Sequence, residues 1–129
     1  MGEKDGQIVL PARVNVWPHE LDTARALARS GRDVEFLVKG VGDHEKSADI
    51  LMEGIVWEIK SPRASSIKAV ERNVKRARNQ ASNVIVDSRR MKGVPDAAIE
   101  RELRRCAREI KGLKRLLFVD RHGIVTVIK

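Results

Sequence analysis

The sequence predicts a single α/β domain, a central mixed β-sheet flanked by α-helices, on three observations. The chain has 129 residues, an ordinary length for one compact domain. Apolar residues recur at helical spacing in three stretches and form alternating or β-branched runs in six others. These stretches interleave in the order α-β-β-β-α-β-α-β-β without an internal repeat, an order that lays helices on the faces of one sheet.

Residues 1–16 read as a loosely held arm, with Gly2, Gly6 and Pro11 around the short run Ile8-Val9-Leu10, and residues 17–129 as the domain. Leu21, Ala24, Leu27 and Ala28 make a helical stripe that begins at Pro18, suited to a first turn, and stops at Gly31. Asp33–Val38 follows as a strand and residues 39–46 as a polar, Gly-punctuated loop. Strands Ser47–Met52 and Ile55–Ser61 are joined by Glu53-Gly54 and closed by Pro62. A helix over Ile67–Ser82 carries Val70, Val74, Ala77 and Ala81 on one side and most of its cations elsewhere. Asn83–Ser88 is a β-branched strand. Asp96 is placed to cap a third helix that turns Ile99, Leu103, Cys106 and Ile110 inward and Arg101, Arg104, Arg105 and Arg108 toward solvent. Strands Arg115–Asp120 and Ile124–Ile128 are joined by His122-Gly123.

Composition removes several classes of function. One cysteine, Cys106, excludes an internal disulfide framework, a zinc ribbon and a CxxC redox pair. Two Phe, two Trp and no Tyr leave few platforms on which single-stranded bases could stack. No apolar run is long enough to span a bilayer and no signal peptide is visible, so the chain is expected to be soluble, without a membrane partner. The net charge of +8 points to a polyanion. Its distribution says more. Residues 1–59 carry seven basic and eleven acidic side chains, whereas residues 60–115 carry seventeen basic and six acidic.

The chemistry-bearing stretch is Ser47–Lys60. Within one strand Glu58 and Lys60 are two residues apart and share a face, while Trp57 and Ile59 take the other. A two-residue turn at Glu53-Gly54 pairs Met52 with Ile55, Leu51 with Val56, Ile50 with Trp57 and Asp49 with Glu58. Two carboxylates directly opposite one another repel, so something positive is expected between them. A hard divalent cation, Mg²⁺ or Mn²⁺, fits, with water and phosphate completing its shell. Lys60 would stand beside it as a point charge for a scissile phosphate. Glu20, on the helix stripe that faces the sheet, is a third candidate metal ligand and a fourth catalytic residue. The competing reading makes Glu58 and Lys60 an ordinary salt-bridged strand face, since the pattern is short and arises by chance in charged chains.

Nucleic-acid contacts are expected immediately downstream. Arg63, Lys68, Arg72, Lys75 and Arg76 follow Lys60 and would grip the flanking backbone, in place of merely solvating a helix face. Asn73 and Gln80 are amides where a simple amphipathic helix would carry apolar residues. Ser61 is a possible phosphate donor, and Ser65 or Ser66 a helix cap. The arginines of the third helix read as solubilising. His19, His44 and His122 show no metal spacing, and Trp57 and Cys106 read as core.

The order of a helix carrying Glu20, a hairpin with Asp49 and Glu58-Ile59-Lys60, a basic helix and a further strand resembles the PD-(D/E)XK nuclease superfamily, with its restriction-endonuclease-like core. The resemblance narrows on His19-Glu20-Leu21-Asp22-Thr23, Asp33-Val34-Glu35-Phe36-Leu37, Ala48-Asp49-Ile50, Trp57-Glu58-Ile59-Lys60-Ser61-Pro62, Arg72-Asn73, Gln80-Ala81 and Asn83-Val84-Ile85-Val86-Asp87. These runs are similar to the C-terminal tRNA nuclease domain of CdiA toxins from contact-dependent growth inhibition, over residues 17–128. The resemblance implies a metal-dependent endoribonuclease that cleaves tRNA in the bacterial cytoplasm and a cognate immunity protein that blocks it. By position, Asp49 and Glu58 would be metal ligands, Lys60 the catalytic lysine and Glu20 their support. No small-molecule cofactor is implied. Few aromatics and many arginines favour a folded, backbone-presenting nucleic acid. Duplex DNA meets that description too, so a DNA endonuclease or resolvase of the same superfamily is the second reading, and a non-catalytic basic binding module the third.

Overall fold

β-Branched runs and amphipathic stripes resolve into ten elements: β1 (Ile8–Val9), α1 (Pro18–Arg29), β2 (Val34–Phe36), β3 (Ile50–Met52), β4 (Ile55–Lys60), α2 (Lys68–Arg78), β5 (Asn83–Asp87), α3 (Asp96–Glu109), β6 (Arg115–Val119) and β7 (Val125–Val127). The computed structural model describes residues 4–12, 14–38 and 49–129. The loop expected at residues 39–46, with His44, and the expected strand start at Ser47 lie outside the described residues.

The strands form one sheet in chain order, β1 to β7. β1 runs parallel to β2, the β2-β3-β4 meander is antiparallel, β4, β5 and β6 are parallel, and β7 returns antiparallel to β6. This is the mixed sheet the sequence predicts. Parallel neighbours require crossovers, supplied by α2 between β4 and β5 and by α3 between β5 and β6.

Because strand side chains alternate, each face has its own core. Trp57, Ile59, Ile85, Leu117 and Val119 meet Ala24, Ala26 and Leu27 of α1 on one face. Val84, Val86, Leu116 and Phe118 meet Val70, Val74 and Ala77 of α2 and Ile99, Leu103 and Cys106 of α3 on the other. α1 is tied down by a buried polar bond: Thr23 Oγ1 donates to Asp87 Oδ2 at 2.6 Å. Arg89 closes the group, with Nη2 2.8 Å from the same oxygen, and the carboxylate holds the guanidinium pKa above its ordinary value.

Four local expectations change. The segment read as a loose arm contributes edge strand β1, anchored where Gly6 N–H meets the Ala28 carbonyl at 2.6 Å. A Cβ on Gly6 would lie 1.8 Å from the Arg32 carbonyl oxygen, so only glycine allows that approach. α2 ends at Arg78, which leaves Gln80 in the following turn. Asp96 is the first residue of α3 and its carboxylate accepts from Ser88 Oγ and the Arg121 N–H, away from its own helix. Arg105 turns sideways to bind Glu102 and Glu109 of α3 and, at 3.0 Å, Glu71 of α2. That contact locks the two helices together and lowers the Glu71 pKa, chiefly through the Arg105 hydrogen bond. Among the described residues, no helix is long and apolar enough to cross a membrane.

Candidate catalytic site

The β3-β4 hairpin forms on the predicted turn, with three of the four predicted pairs in register. Glu53 and Gly54 both take positive φ, 56° and 74°, the backbone a two-residue hairpin turn needs. Ile50 pairs with Trp57, Leu51 with Val56 and Met52 with Ile55. The fourth, Asp49 with Glu58, is not in that register: Asp49 precedes β3, and its N–H donates to the carbonyl of Trp57, which already pairs with Ile50, at 2.9 Å.

Pleating then sorts the side chains. Trp57 and Ile59 enter the core under α1, and the Trp57 indole N–H donates to the Met52 carbonyl. Glu58 and Lys60 are in register with Val84 and Val86, which belong to the core under α2, so both acidic and basic groups are presented on the α2 face. Asp49 and Glu58 are 6% and 5% exposed. Asp49 Oδ2 accepts the Ile59 N–H at 2.9 Å, which pins its carboxylate to the strand that carries Glu58. Lys60 Nζ lies 3.6 Å from Glu58 Oε2.

Glu20 is placed differently. It is the third residue of α1 and its Oε1 accepts the Trp17 N–H at 3.0 Å, closing the start of its own helix. α1 covers the sheet face opposite Glu58 and Lys60. Among the described residues no three His, Cys, Asp or Glu side chains gather into a metal cluster. Asp49 and Glu58 are the carboxylates at the hairpin, and Glu20 caps α1, because a first-turn glutamate is the natural acceptor for an unsatisfied helix N–H.

The basic residues divide as well. Lys68, Arg72 and Arg76 are exposed at four-residue intervals on α2, one stripe along the helix, and Arg63 is exposed in the segment leading to it. Lys75 is drawn to Glu71, 3.9 Å away. The Asn73 amide donates to the Ala69 carbonyl of its own helix at 2.7 Å. Ser61 Oγ, next to Lys60, is shielded from solvent and has no hydrogen-bond partner among the described residues. Ser66 Oγ accepts the Lys68 N–H and opens α2. His19 stacks on Trp17 with ring centroids 6.4 Å apart, and His122 is exposed in the β6-β7 turn. The sequence places Thr23 and Asp87 in its resembling runs without a role, and gives no sign of Arg89. The signal available was a lone aspartate ending an otherwise apolar strand.

A mixed sheet with helices on both faces defines an α/β domain, and its β3-β4 hairpin carries buried Asp49 and Glu58 with Lys60 beside Glu58. Residues 46–125 match the model of the contact-dependent growth inhibition CdiA C-terminal domain, and the chain belongs to this family of toxin domains. The fold is shared with a chain of the CdiA-CT/CdiI toxin and immunity complex from Burkholderia pseudomallei, at a TM-score of 0.73 and 24% identity, over 96% of this chain and 99% of that one. No curated protein matches the sequence.

Proposed function

We propose that this toxin domain is a metal-dependent endoribonuclease of the PD-(D/E)XK type that hydrolyses phosphodiester bonds of tRNA in the cytoplasm of a target bacterium, and that a cognate immunity protein restrains it. The observation that carries the reading is the hairpin: Asp49, just before β3 and bonded to the Ile59 N–H, and Glu58 of β4 are both buried, with Lys60 Nζ 3.6 Å from Glu58 Oε2.

Two buried carboxylates are the hard oxygen donors that Mg²⁺ or Mn²⁺ takes at phosphate-transfer sites, where one or two carboxylates suffice and water and phosphate supply the rest. Asp49 and Glu58 would hold the ion, which would supply Lewis acidity at the phosphate. The Ile59 N–H orients the Asp49 carboxylate. Lys60 sets a positive charge where negative charge accumulates on the phosphate oxygens as water adds and a P–O ester bond breaks. Lys68, Arg72 and Arg76 hold the phosphate backbone beyond the cut, as point charges and forks without base readout. The folded, backbone-presenting substrate is consistent with two Phe, two Trp and no Tyr in the chain.

Incubating the purified chain with total tRNA and with supercoiled plasmid, in Mg²⁺ or Mn²⁺ and again in EDTA, tests this. Discrete tRNA fragments that vanish in EDTA are expected, and Lys60→Met should abolish them. Nicked plasmid with intact tRNA would favour DNA cleavage, and tRNA binding without cleavage in any metal would leave only a basic binding module.

A further inference from the structure

A second polar constellation lies on the other face of the sheet, at the other end of β4. Ile55 and Trp57 of β4, Leu117 of β6 and Val127 of β7 floor a groove of about 530 Å³, rimmed by Arg32, Glu53, Lys114, Arg115 and Lys129. Leu117 pairs with Val127, so these side chains share the face on which α1 packs. The groove is the part of that face beside α1.

Its cations are pre-set. Arg32 Nε bonds Glu53 Oε1 at 3.1 Å and its Nη1 bonds Ser30 Oγ at 2.7 Å. Across the groove, Arg115 Nη1 donates to Oδ1 of the buried Asn83 at 3.3 Å, and the same Asn83 donates to the Val56 carbonyl at 3.1 Å. Arg115 is therefore aimed by a neutral amide that is itself clamped to β4. Glu53 is the one acid on the rim and is already bonded to Arg32, and Arg115 and Lys114 have no carboxylate partner among the described residues. The groove thus combines uncompensated positive charge with an apolar floor in which Val127 is 58% exposed.

Ile55 and Lys60 are five residues apart along β4, about 17 Å at the usual strand rise, and they face opposite sides of the sheet. Phosphates on the basic rim alone would leave the apolar floor of Ile55, Trp57, Leu117 and Val127 uncovered. Carboxylates do bind Arg and Lys rims while an adjacent apolar side chain fills the floor, the mixture common at protein interfaces. We infer that this groove docks an acidic protein segment, with Glu or Asp side chains on Arg115 and Lys114 and an apolar side chain over Ile55, Trp57, Leu117 and Val127, leaving the Asp49-Glu58-Lys60 site uncovered.

The inference does not depend on the catalytic reading. The probe is a fluorescein-labelled octapeptide alternating Glu and Leu, followed by anisotropy with the full chain, alongside its Lys-Leu and Glu-Ser counterparts. The Glu-Leu peptide is expected to bind. Lys114→Glu/Arg115→Glu should weaken it about tenfold or more, as expected for reversing rim charges against like charge. Val127→Glu, which leaves the Arg115-Asn83 bond intact, should do the same, with circular dichroism of both variants like that of the parent. The Lys-Leu peptide should fail to bind and the Glu-Ser peptide should bind more weakly. Equal binding by the parent and both variants, displacement of the peptide by tRNA, or no binding at all would overturn the proposal. A chain that binds the peptide yet cuts no RNA would uphold the groove and refute the nuclease.

Discussion

Asp49 carries two separable duties, and substituting it two ways distinguishes them. Its Oδ2 accepts the Ile59 N–H at 2.9 Å at the open end of the hairpin, and in the proposed site its charge would help to hold the metal ion. Asp49→Ala removes both. The orphaned buried N–H costs about 1–3 kcal/mol. With an unfolding entropy of about 2.1 cal/mol/K per residue, each kcal/mol lowers Tm by about 4 °C in a chain this long. Asp49→Ala should therefore melt about 4–11 °C below the parent. Asp49→Asn keeps an oxygen for Ile59 and loses the charge, so its Tm should stay within about 4 °C, while cleavage drops by about 100-fold or more in both variants. Thermal unfolding followed by circular dichroism and initial rates of tRNA cleavage in Mg²⁺ read the two quantities independently. An Asp49→Asn protein that cuts at the parental rate refutes the carboxylate site, and an Asp49→Ala protein as stable as Asp49→Asn refutes the Ile59 anchor.

Thr23→Val deletes the bond to the buried Asp87 carboxylate with little change of shape and should cost about 1–2 kcal/mol in urea denaturation; a change under about 0.3 kcal/mol would mean that this bond does not secure α1. Replacing Lys68, Arg72 and Arg76 together with Gln should flatten the log-log salt dependence of tRNA binding by about two to three units, since each phosphate contact contributes roughly 0.7–0.9; an unchanged slope would place the backbone grip elsewhere. Burial pushes the Cys106 thiol up to about 11 from 9.0, so it should resist iodoacetamide at neutral pH in the native state and react once the chain is unfolded. Because the folded pKa is the higher one, the stability tied to the protonated thiol is complete below pH 9.0 and disappears as the pH rises through about 11, which a series of urea midpoints would follow. Rapid native labelling at neutral pH would contradict that burial.

The hairpin was legible because two local rules determine it jointly. A Glu53-Gly54 turn with both φ values positive sets the pairing, and the two-residue period of a strand then decides that Trp57 goes one way and Glu58 with Lys60 the other. Glu20 was harder to read. Its spacing puts it on the stripe that faces the sheet, and its carboxylate accepts the unsatisfied N–H of Trp17 at the helix start. The helix pattern turns Arg105 toward solvent because Glu71, 34 residues earlier, leaves no trace in the local sequence. Asp87 and Thr23 meet across 64 residues, and no periodicity joins them.

What the sequence by itself determined was everything with a short period: the helical stripes, the strand alternation, the hairpin register and the segregation of acidic residues before Lys60 from basic residues after it. Those follow from backbone geometry over a few residues. Only the tertiary structure decided which sheet face each helix covers, and with it that Glu58 and Lys60 lie on the α2 face, that Glu20 caps its own helix, and that Arg32 and Arg115 flank one groove. Such placements depend on which buried surfaces find one another over long stretches of chain, where the free energy comes from packing and desolvation of whole faces and no local pattern records the choice.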